Sequence, residues 1–200
     1  MAVLQTSAKS SEIKMTKKEA RELLLKKRNA LTKEEVQVAS ESIIKDIDAI
    51  LKESKNMVVL GFMPLGNEID LRPLFEKILS GYYKENYNID IALGLPRVCG
   101  KDMKFFRVYS LDNLERSKFG ILEPSLSCEE IIPKGAKVLV PLIGLNKHGK
   151  RLGFGAGYYD RYFGLHSENT LIGPVYDFQT DIDFEANEYD IVMDHILKAR

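Results

Sequence analysis

Cysteine and histidine are scarce in this chain, with two cysteines and three histidines among 200 residues. Cys99 and Cys128 have no motif spacing, so we expect reduced thiols in a cytoplasmic protein and no disulfide framework. His148, His166 and His195 show neither the spacing of metal ligands nor a serine or cysteine partner pattern. Histidine-based metal binding or nucleophilic catalysis is therefore not predicted.

Long apolar runs and an excess of charge are also lacking. No run reaches the roughly 18 residues of a membrane-spanning helix, and the N-terminus shows no apolar secretory segment. The formal net charge is zero, with 29 basic and 29 acidic side chains, so the charge of the whole chain does not favour nucleic acid or a membrane surface. We expect a cytoplasmic monomer whose partners are small molecules, with no nucleic acid and no membrane among them.

The pattern of apolar residues predicts one α/β domain. Capping boxes at Thr16 and Thr32 open two successive amphipathic helices, an N-terminal helical hairpin, and residues 71–79 predict a third helix. Strands alternate with helices, which is typical of a mostly parallel sheet with helices on both faces, a three-layer α/β/α arrangement. The domain is expected over residues 15–200, after a flexible N-terminal leader of residues 1–14. The predicted strands cover residues 57–63, 89–95, 103–109, 138–145, 171–176 and 189–193.

The most informative segment covers residues 145–161, between the predicted strand 138–145 and a helix expected to begin at Tyr158. Glycines let backbone N–H groups approach an anion, and a helix N-terminus carries a partial positive charge, so this arrangement suits phosphate. The segment lacks the Gly-Lys-Ser/Thr end of a P-loop and does not fit G-x-G-x-x-G. The residues alone leave two interpretations, a phosphate loop or a tight turn. The glycines and bases concerned are Gly149, Gly153, Gly155, Gly157, Lys147, Lys150 and Arg151.

The stretch Arg151–Arg161, which reads RLGFGAGYYDR, closely resembles the R-L-G-x-G-x-G-Y-Y-D signature of the 5-formyltetrahydrofolate cyclo-ligases (5,10-methenyltetrahydrofolate synthetases). Weaker similarities follow in family order at Lys17–Arg21, Asn67–Asp70, Leu95–Arg97 and Phe119–Pro124, and cover nearly the whole chain from Lys17. The resemblance implies an enzyme that converts 5-formyltetrahydrofolate and MgATP to 5,10-methenyltetrahydrofolate, ADP and phosphate. In that reaction the formyl oxygen attacks the γ-phosphate, and N10 then closes the ring as phosphate leaves.

The resemblance also implies which residues bind ATP. Lys17 and Arg21 lie four apart, on one helical face, and should reach the phosphates; without the resemblance we would expect a solvated basic face. The glycine loop should cradle the phosphates, and Arg151 and Tyr158 are the expected catalytic residues. The full predicted ATP-binding set is Lys17, Arg21, Lys150, Arg151, Gly153, Phe154, Gly155, Ala156, Gly157, Tyr158 and Tyr159.

The folate is expected to bind through Glu68, because a carboxylate matches the paired N–H donors at the edge of a pterin. Phe62, Met63 and Tyr159 are predicted to pack against the pterin, with a place in the core as the alternative. The glutamate tail of a folate needs a cation, and the sequence does not choose among the basic residues Arg97, Lys104 and Arg107.

Two residues are predicted to hold Mg²⁺. Asp160 offers a carboxylate oxygen, which a hard cation prefers, although an acid in the first turn of a helix is an equal interpretation. Asn146 stands where many family members have aspartate, so its neutral oxygen would bind the metal more weakly. That departure suggests a catalytically weak binding module of the same fold as one alternative. A different α/β phosphate enzyme, such as a sugar-phosphate isomerase, is the other.

Overall fold

The computed structural model describes residues 14–55, 57–118 and 120–200. The leader predicted at residues 1–14 therefore lies, apart from Lys14, outside the described residues. The helices are α1 (Lys17–Asn29), α2 (Lys33–Lys52), α3 (Arg72–Leu79), α4 (Tyr82–Tyr87) and α5 (Tyr158–Leu165). The strands are β1 (Met57–Leu60), β2 (Ile91–Cys99), β3 (Asp102–Val108), β4 (Glu115–Arg116), β5 (Leu122–Glu123), β6 (Glu130–Ile131), β7 (Lys137–Leu139), β8 (Gly144–Leu145), β9 (Arg151–Leu152), β10 (Thr170–Val175) and β11 (His195–Lys198).

Seven strands form the central sheet in the order β11-β10-β7-β1-β2-β3-β6. The pairs from β11 to β2 are parallel, whereas β3 pairs antiparallel with both β2 and β6. The short hairpins β4–β5 and β8–β9 lie outside this sheet. The mostly parallel sheet predicted from the sequence is confirmed.

Helices cover both faces of the sheet, as predicted. On one face Ile43 of α2 and Phe75 of α3 belong to the same buried cluster as Leu93 of β2. On the other face Phe163 of α5 packs in a second cluster with Phe105 of β3. Each large apolar side chain buried in this way contributes about 1.5–3 kcal/mol to stability. None of the described helices combines the length and apolar character needed to cross a membrane.

Helix α1 is positioned by a third, smaller cluster. Its buried Ala20 and Leu24 pack with Ile143, Leu152 and Phe184, around the β8–β9 hairpin. Helix α2 instead buries its apolar side against the main core. Both capping boxes form as predicted, but the two helices bury their apolar faces against different partners and not mainly against each other. Helix α1 consequently lies beside the glycine-rich segment.

Two strand predictions are corrected by the structure. The run 138–145 is not one strand, because β7 ends at Leu139 and a new hairpin begins at Gly144; Pro141, which lacks an N–H, lies in the break. The glycine loop therefore follows the hairpin strand β9. Residues 189–193 belong to none of the strands β1 to β11, and the last strand is β11, which begins at His195. Directly before it, the Asp194 carboxylate accepts the backbone N–H of Leu171 at 2.7 Å.

Strand β2 continues through Pro96 to Cys99, although we predicted its end at the proline. Its parallel neighbour β1 ends opposite Gly94, so beyond that point β2 pairs only with β3. Proline is tolerated at such an edge position, because its missing N–H need not leave a gap in a ladder. The extension carries Val98 well past the end of β1.

Candidate active site

Two compartments meet at the glycine loop, and we call them the glycine-loop cleft and the apolar cavity. The cleft has a volume of about 580 Å³ and the cavity about 310 Å³. Arg151 and Gly157 line both, so they form the wall between the two. The cleft is further lined by Lys17, Arg21, Leu152, Gly153, Gly155, Asp160, Arg161, Gly164, Leu165 and residues 187–191. The cavity is further lined by Phe62, Met63, Leu65, Glu68, Pro96, Val98, Met103, Ile121, Leu122, Glu123, Pro141, Phe154, Ala156, Tyr158 and Tyr159.

Helix α1 presents two cations to the cleft. The Arg21 Nε donates a hydrogen bond to the carbonyl of Gly153 at 2.7 Å, which ties the helix to the loop. The Lys17 Nζ contacts both carboxylate oxygens of Asp190, at 2.5 and 2.6 Å. These two side chains thus face the cleft and do not form a solvated basic surface.

Arg151 is held rigidly at the wall between the compartments. Its Nε and Nη2 donate to the two oxygens of Asp160 at 3.1 and 2.8 Å, and its Nη1 donates to the carbonyl of Pro141 at 2.8 Å. Burial alone would raise the pKa of Asp160, but the hydrogen bonds and charge of Arg151 hold it below its usual value. Three of the five guanidinium N–H groups are used in this way, so two remain for a ligand.

Residues of the glycine loop face the two compartments alternately. Gly153 and Gly155 line the cleft, whereas Phe154 and Ala156 line the apolar cavity. Gly155 has φ +107° and the loop ends at Gly157 with φ +67°, the N-cap of α5. Glycine is required at such angles, because a Cβ there is strained.

Four residues of the predicted ATP-binding set border the other compartment. Phe154, Ala156, Tyr158 and Tyr159 line the apolar cavity and not the cleft. Tyr158 also packs beneath Arg161, whose guanidinium lies 5.2 Å from the centre of the tyrosine ring.

Lys150 and Asn146 make contacts outside the two compartments. The Lys150 Nζ donates to the carbonyl of Asn187 at 2.6 Å, so it supports the segment that forms the far side of the cleft. The Asn146 side-chain oxygen accepts the backbone N–H groups of His148 and Lys150 at 2.9 and 3.0 Å. Both lone pairs of that oxygen hold the β8–β9 turn, which leaves none for a cation. Neither side chain lines the cleft or the cavity.

The apolar cavity brings together the residues predicted for the pterin. Phe62, Met63, Glu68 and Tyr159 all line it. The ring of Tyr159 packs edge-on against Phe105 at a centroid distance of 6.4 Å. Burial raises the pKa of the Tyr159 phenol above its usual value, so the hydroxyl stays protonated and can donate a hydrogen bond.

Glu68 and Glu123 are the two buried acids that line the cavity, and the partner of Glu68 is Arg28. The Arg28 Nη1 donates to Glu68 Oε1 at 3.2 Å, and the backbone N–H of Leu65 donates to Oε2 at 2.9 Å. The two charged side chains are only 4% and 6% exposed. Burial raises the pKa of Glu68, while the charge of Arg28 and both hydrogen bonds oppose that rise. Within the described part of the chain, the buried Arg28 Nε has no hydrogen-bond partner.

Several residues of the site were not predicted. Arg28, which contacts Glu68 from behind the cavity wall, could have been found, since it lies on the same face of α1 as Lys17 and Arg21, seven residues after the latter. Arg161 and the segment 187–191 carried none, because their place in the cleft depends on contacts made after folding. The Asp190 carboxylate, for example, accepts the N–H of Asn187 at 2.7 Å besides pairing with Lys17, which holds this segment against the cleft.

The acids of the cleft fit a metal ion that arrives with a nucleotide. Asp160, Glu188 and Asp190 line it, and Mg²⁺ in nucleotide sites takes one or two carboxylates together with phosphate oxygens and water. Asp160 is paired with Arg151 and Asp190 with Lys17. Over the described residues, no group of three or more histidine, cysteine, aspartate or glutamate side chains is placed to hold a metal by itself. The structure thus supports the helix-acid interpretation of Asp160 at least as well as a metal role.

Known proteins are similar to this chain over most of its length. A family model described as the 5-formyltetrahydrofolate cyclo-ligase family matches residues 13–199. The 5-formyltetrahydrofolate cyclo-ligase of Mycoplasma pneumoniae is 48% identical over 60 residues, 30% of this chain and 36% of that one. That of Escherichia coli K12 is 23% identical over 173 residues, 84% of this chain and 92% of the relative. The NMR structure of Aquifex aeolicus 5,10-methenyltetrahydrofolate synthetase is 33% identical with a TM-score of 0.73, over 92% of this chain and 90% of that one. The chain belongs to the 5-formyltetrahydrofolate cyclo-ligase family.

Proposed function

We propose that this protein is a 5-formyltetrahydrofolate cyclo-ligase that uses ATP to form 5,10-methenyltetrahydrofolate, ADP and phosphate. The observation that carries the proposal is the shared wall between the two compartments, formed by Arg151 and Gly157. A polar cleft with cations suits a triphosphate, and an apolar cavity lined by the buried acid Glu68 suits a pterin. Two substrates bound in this way would meet at Arg151.

The triphosphate is assigned to the glycine-loop cleft. Lys17, Arg21 and Arg151 supply positive charge, and Gly153 and Gly155 let backbone N–H groups approach the phosphates. Helix α5 begins directly after Gly157, so its N-terminal partial charge points at the wall where the γ-phosphate is needed. Phosphoryl transfer depends mainly on alignment and on stabilising charge, which these groups provide.

The pterin is assigned to the apolar cavity. The Glu68 carboxylate would accept N–H groups from the amino-pyrimidinone edge, while Phe62 and Tyr159 pack against the ring. Burial raises the pKa of Glu68, while the charge of the buried Arg28 opposes that rise and favours the ionised form; the hydrogen bond from Arg28 fixes the orientation of the carboxylate. A pterin anchored in this way would direct its N5-formyl group toward the wall that contains Arg151.

The reaction then needs two displacements at that wall. The formyl oxygen attacks the γ-phosphorus, and the bond to the bridging oxygen breaks to release ADP. N10 next attacks the activated formyl carbon, and phosphate leaves as the five-membered ring closes. The two free N–H groups of Arg151 would stabilise the charge on the transferred phosphoryl oxygens, because they are positioned before the reaction by Asp160 and Pro141.

Mg²⁺ belongs to the proposal as a companion of ATP, where it would neutralise phosphate charge, with Asp160 as the carboxylate put forward for it. Asn146 is not retained as a ligand, because its side-chain oxygen holds the β8–β9 turn. That removes the feature that motivated a catalytically weak binding module. The monomeric state and the cytoplasm are also retained as expectations.

Mixing the protein with MgATP and 5-formyltetrahydrofolate is expected to produce the absorbance band of methenyltetrahydrofolate. The band should require ATP, and chelation of Mg²⁺ should suppress it. Parallel thermal-shift measurements report binding without turnover, with a stabilisation of about 2.7 kcal/mol expected at a ligand concentration 100 times Kd. Ligand-induced stabilisation without product would favour the binding module, and ATP-independent activity on another phosphate compound would favour a different enzyme.

Gly155→Ala is expected to raise KM for ATP about tenfold or more while leaving folate affinity unchanged. The added Cβ would meet the Arg21 guanidinium at 3.6 Å, but the main cost is backbone strain at φ +107°, of order 1–2 kcal/mol. Gly135→Ala is a matched control, because Gly135 has φ +68° with open space around it and lines neither compartment. Both variants should lose stability, but only Gly155→Ala should lose affinity for ATP. If the two variants had the same KM for ATP, the assignment of the triphosphate to the glycine loop would be contradicted.

A further inference from the structure

The side chain of Phe154 connects the glycine loop to the buried pair of Arg28 and Glu68. The guanidinium carbon of Arg28 lies 5.5 Å from the centre of the Phe154 ring, within the roughly 6 Å range of a cation–π contact. Phe154 is 49% exposed, whereas Arg28 is 4% exposed. A half-exposed side chain on the loop thus covers one face of a buried cation. The two displacements proposed above give Phe154 no part.

Arg28 depends on this contact because its own hydrogen bonds are long. Its Nη1 donates both to Glu68 Oε1 at 3.2 Å and to the carbonyl of Leu142 at 3.4 Å, at or beyond the upper end of the usual range for N–H···O bonds. Within the described part of the chain, its buried Nε has no hydrogen-bond partner. Hydrogen bonds alone therefore hold the guanidinium loosely, and packing against the Phe154 ring restricts it further.

The backbone on either side of Phe154 belongs to the glycine-loop cleft. Gly153 and Gly155 line the cleft, while Phe154 lines the apolar cavity. The Gly153 carbonyl accepts the hydrogen bond from Arg21, and Gly155 lies beside the same guanidinium, since a Cβ on Gly155 would be 3.6 Å from the guanidinium carbon. An anion that accepts N–H groups of this loop would restrict the backbone from which the Phe154 ring projects.

Helix α1 joins the two ends of this arrangement. Arg21 and Arg28 lie seven residues apart on it, which is two turns or about 10 Å. Arg21 holds the loop backbone and Arg28 contacts the loop side chain, so the helix and the loop touch at two points. Fixing the loop against the helix thus fixes the Phe154 ring against Arg28 as well.

We propose that Phe154 is a positioning residue: when ATP occupies the cleft, the ring holds Arg28 in the place from which it orients Glu68, and folate binds more tightly. The inference rests on the proposed function, because it takes ATP to lie in the cleft and the pterin beside Glu68. By linkage, folate must strengthen the binding of ATP by the same factor. We expect a factor of about ten, within the roughly 5 to 150-fold range of typical couplings and equal to about 1.4 kcal/mol.

The test measures the Kd of 5-formyltetrahydrofolate by calorimetric titration, without and with saturating Mg²⁺ and β,γ-imido-ATP, an analogue that does not transfer its γ-phosphate. The wild type should bind the folate about tenfold more tightly in the presence of the analogue. Phe154→Leu should bring the ratio of the two Kd values close to one, because leucine keeps an apolar side chain but loses the aromatic face. Phe154→Tyr, which keeps the ring, should retain the wild-type ratio.

Leu65→Ala is the matched control, because Leu65 also lines the apolar cavity and is 40% exposed. A side chain that only touches the folate changes both Kd values by the same factor, so this variant should keep the ratio. The ratio thus separates positioning through Arg28 from direct contact with the substrate, which a single Kd cannot do. Thermal unfolding should show that Phe154→Leu is folded, since half of the side chain is exposed.

Glu68→Gln locates the effect at the acid. Because the coupling acts through the pairing of Arg28 with Glu68, this variant should also bring the ratio close to one. Adding Phe154→Leu to it should then change the ratio no further, which is the non-additivity expected of residues that act through one another.

A wild-type ratio of one, or a ratio that Phe154→Leu keeps, overturns the inference and leaves the proposed function intact, since turnover with MgATP is measured separately. A ratio lost in Leu65→Ala as completely as in Phe154→Leu also overturns it. A tenfold ratio that only Phe154→Leu of these two loses, in a wild type that forms no methenyltetrahydrofolate, supports the coupling and overturns the proposed function instead.

Discussion

Arg151→Met is expected to lower kcat by roughly 10² to 10³-fold and to weaken the binding of both ATP and folate. The first effect follows because the variant removes donors positioned at the transferred phosphoryl group. The second follows because Arg151 lines both compartments and lies 5.2 Å from the centre of the Tyr159 ring. The resemblance placed Arg151 in the ATP-binding set only, since the sequence did not show that this side chain also borders the cavity.

The same change should cost about 3 kcal/mol of stability. It leaves the largely buried Asp160 carboxylate and the carbonyl of Pro141 without their donors, and breaking a buried pair by removing one partner is strongly destabilising. Arg151→Met/Asp160→Asn serves as the matched control, because it removes the charge that the single variant leaves unpaired. Urea unfolding should show that the double variant regains stability, while kinetics should show that it stays inactive. A single variant that keeps normal kcat would contradict the place given to Arg151.

Glu68→Gln is expected to reduce folate affinity by about 10 to 100-fold with ATP affinity unchanged. A hydrogen bond to a charged group contributes about 1.5–3 kcal/mol, and the amide cannot accept paired N–H donors on both of its polar atoms. The variant also leaves Arg28 as a buried charge without its carboxylate, so some stability should be lost. Calorimetric titration with each substrate separately measures both affinities. A loss of ATP affinity alone would show that the two compartments have been assigned the wrong way round.

The pH dependence of folate binding should report the same carboxylate. Burial raises the pKa of Glu68 above its ordinary 4.5, and only the ionised form accepts both N–H groups, so affinity should rise with pH through that raised pKa. Stability should respond in the opposite sense: the folded state holds the proton more tightly than the unfolded state, so the contribution of Glu68 falls as pH rises above 4.5. Glu68→Gln should flatten both profiles. Unchanged profiles in the variant would assign the titration to another group.

Local sequence determined much of this protein. The capping boxes predicted at Thr16 and Thr32 are both present, because a capping box involves residues only three apart in the sequence. The spacing of Lys17 and Arg21 set them on one helical face, and the glycines at 155 and 157 take the positive φ angles that only their lack of a Cβ makes easy. The alternation of helices with apolar runs was sufficient for the layered fold and the mostly parallel sheet.

Only the tertiary structure decided how these parts combine. Arg28 and Glu68 are 40 residues apart and Lys17 and Asp190 are 173 apart, so their pairing depends on the packing of α1 and on no local pattern. The break in the run 138–145 and the hairpin after it turned alternate residues of the loop toward different compartments. Sequence periodicity reports which face of an element is apolar, but the partner of that face is chosen by the packing of distant segments. That packing is what made Arg151 the boundary between the two compartments.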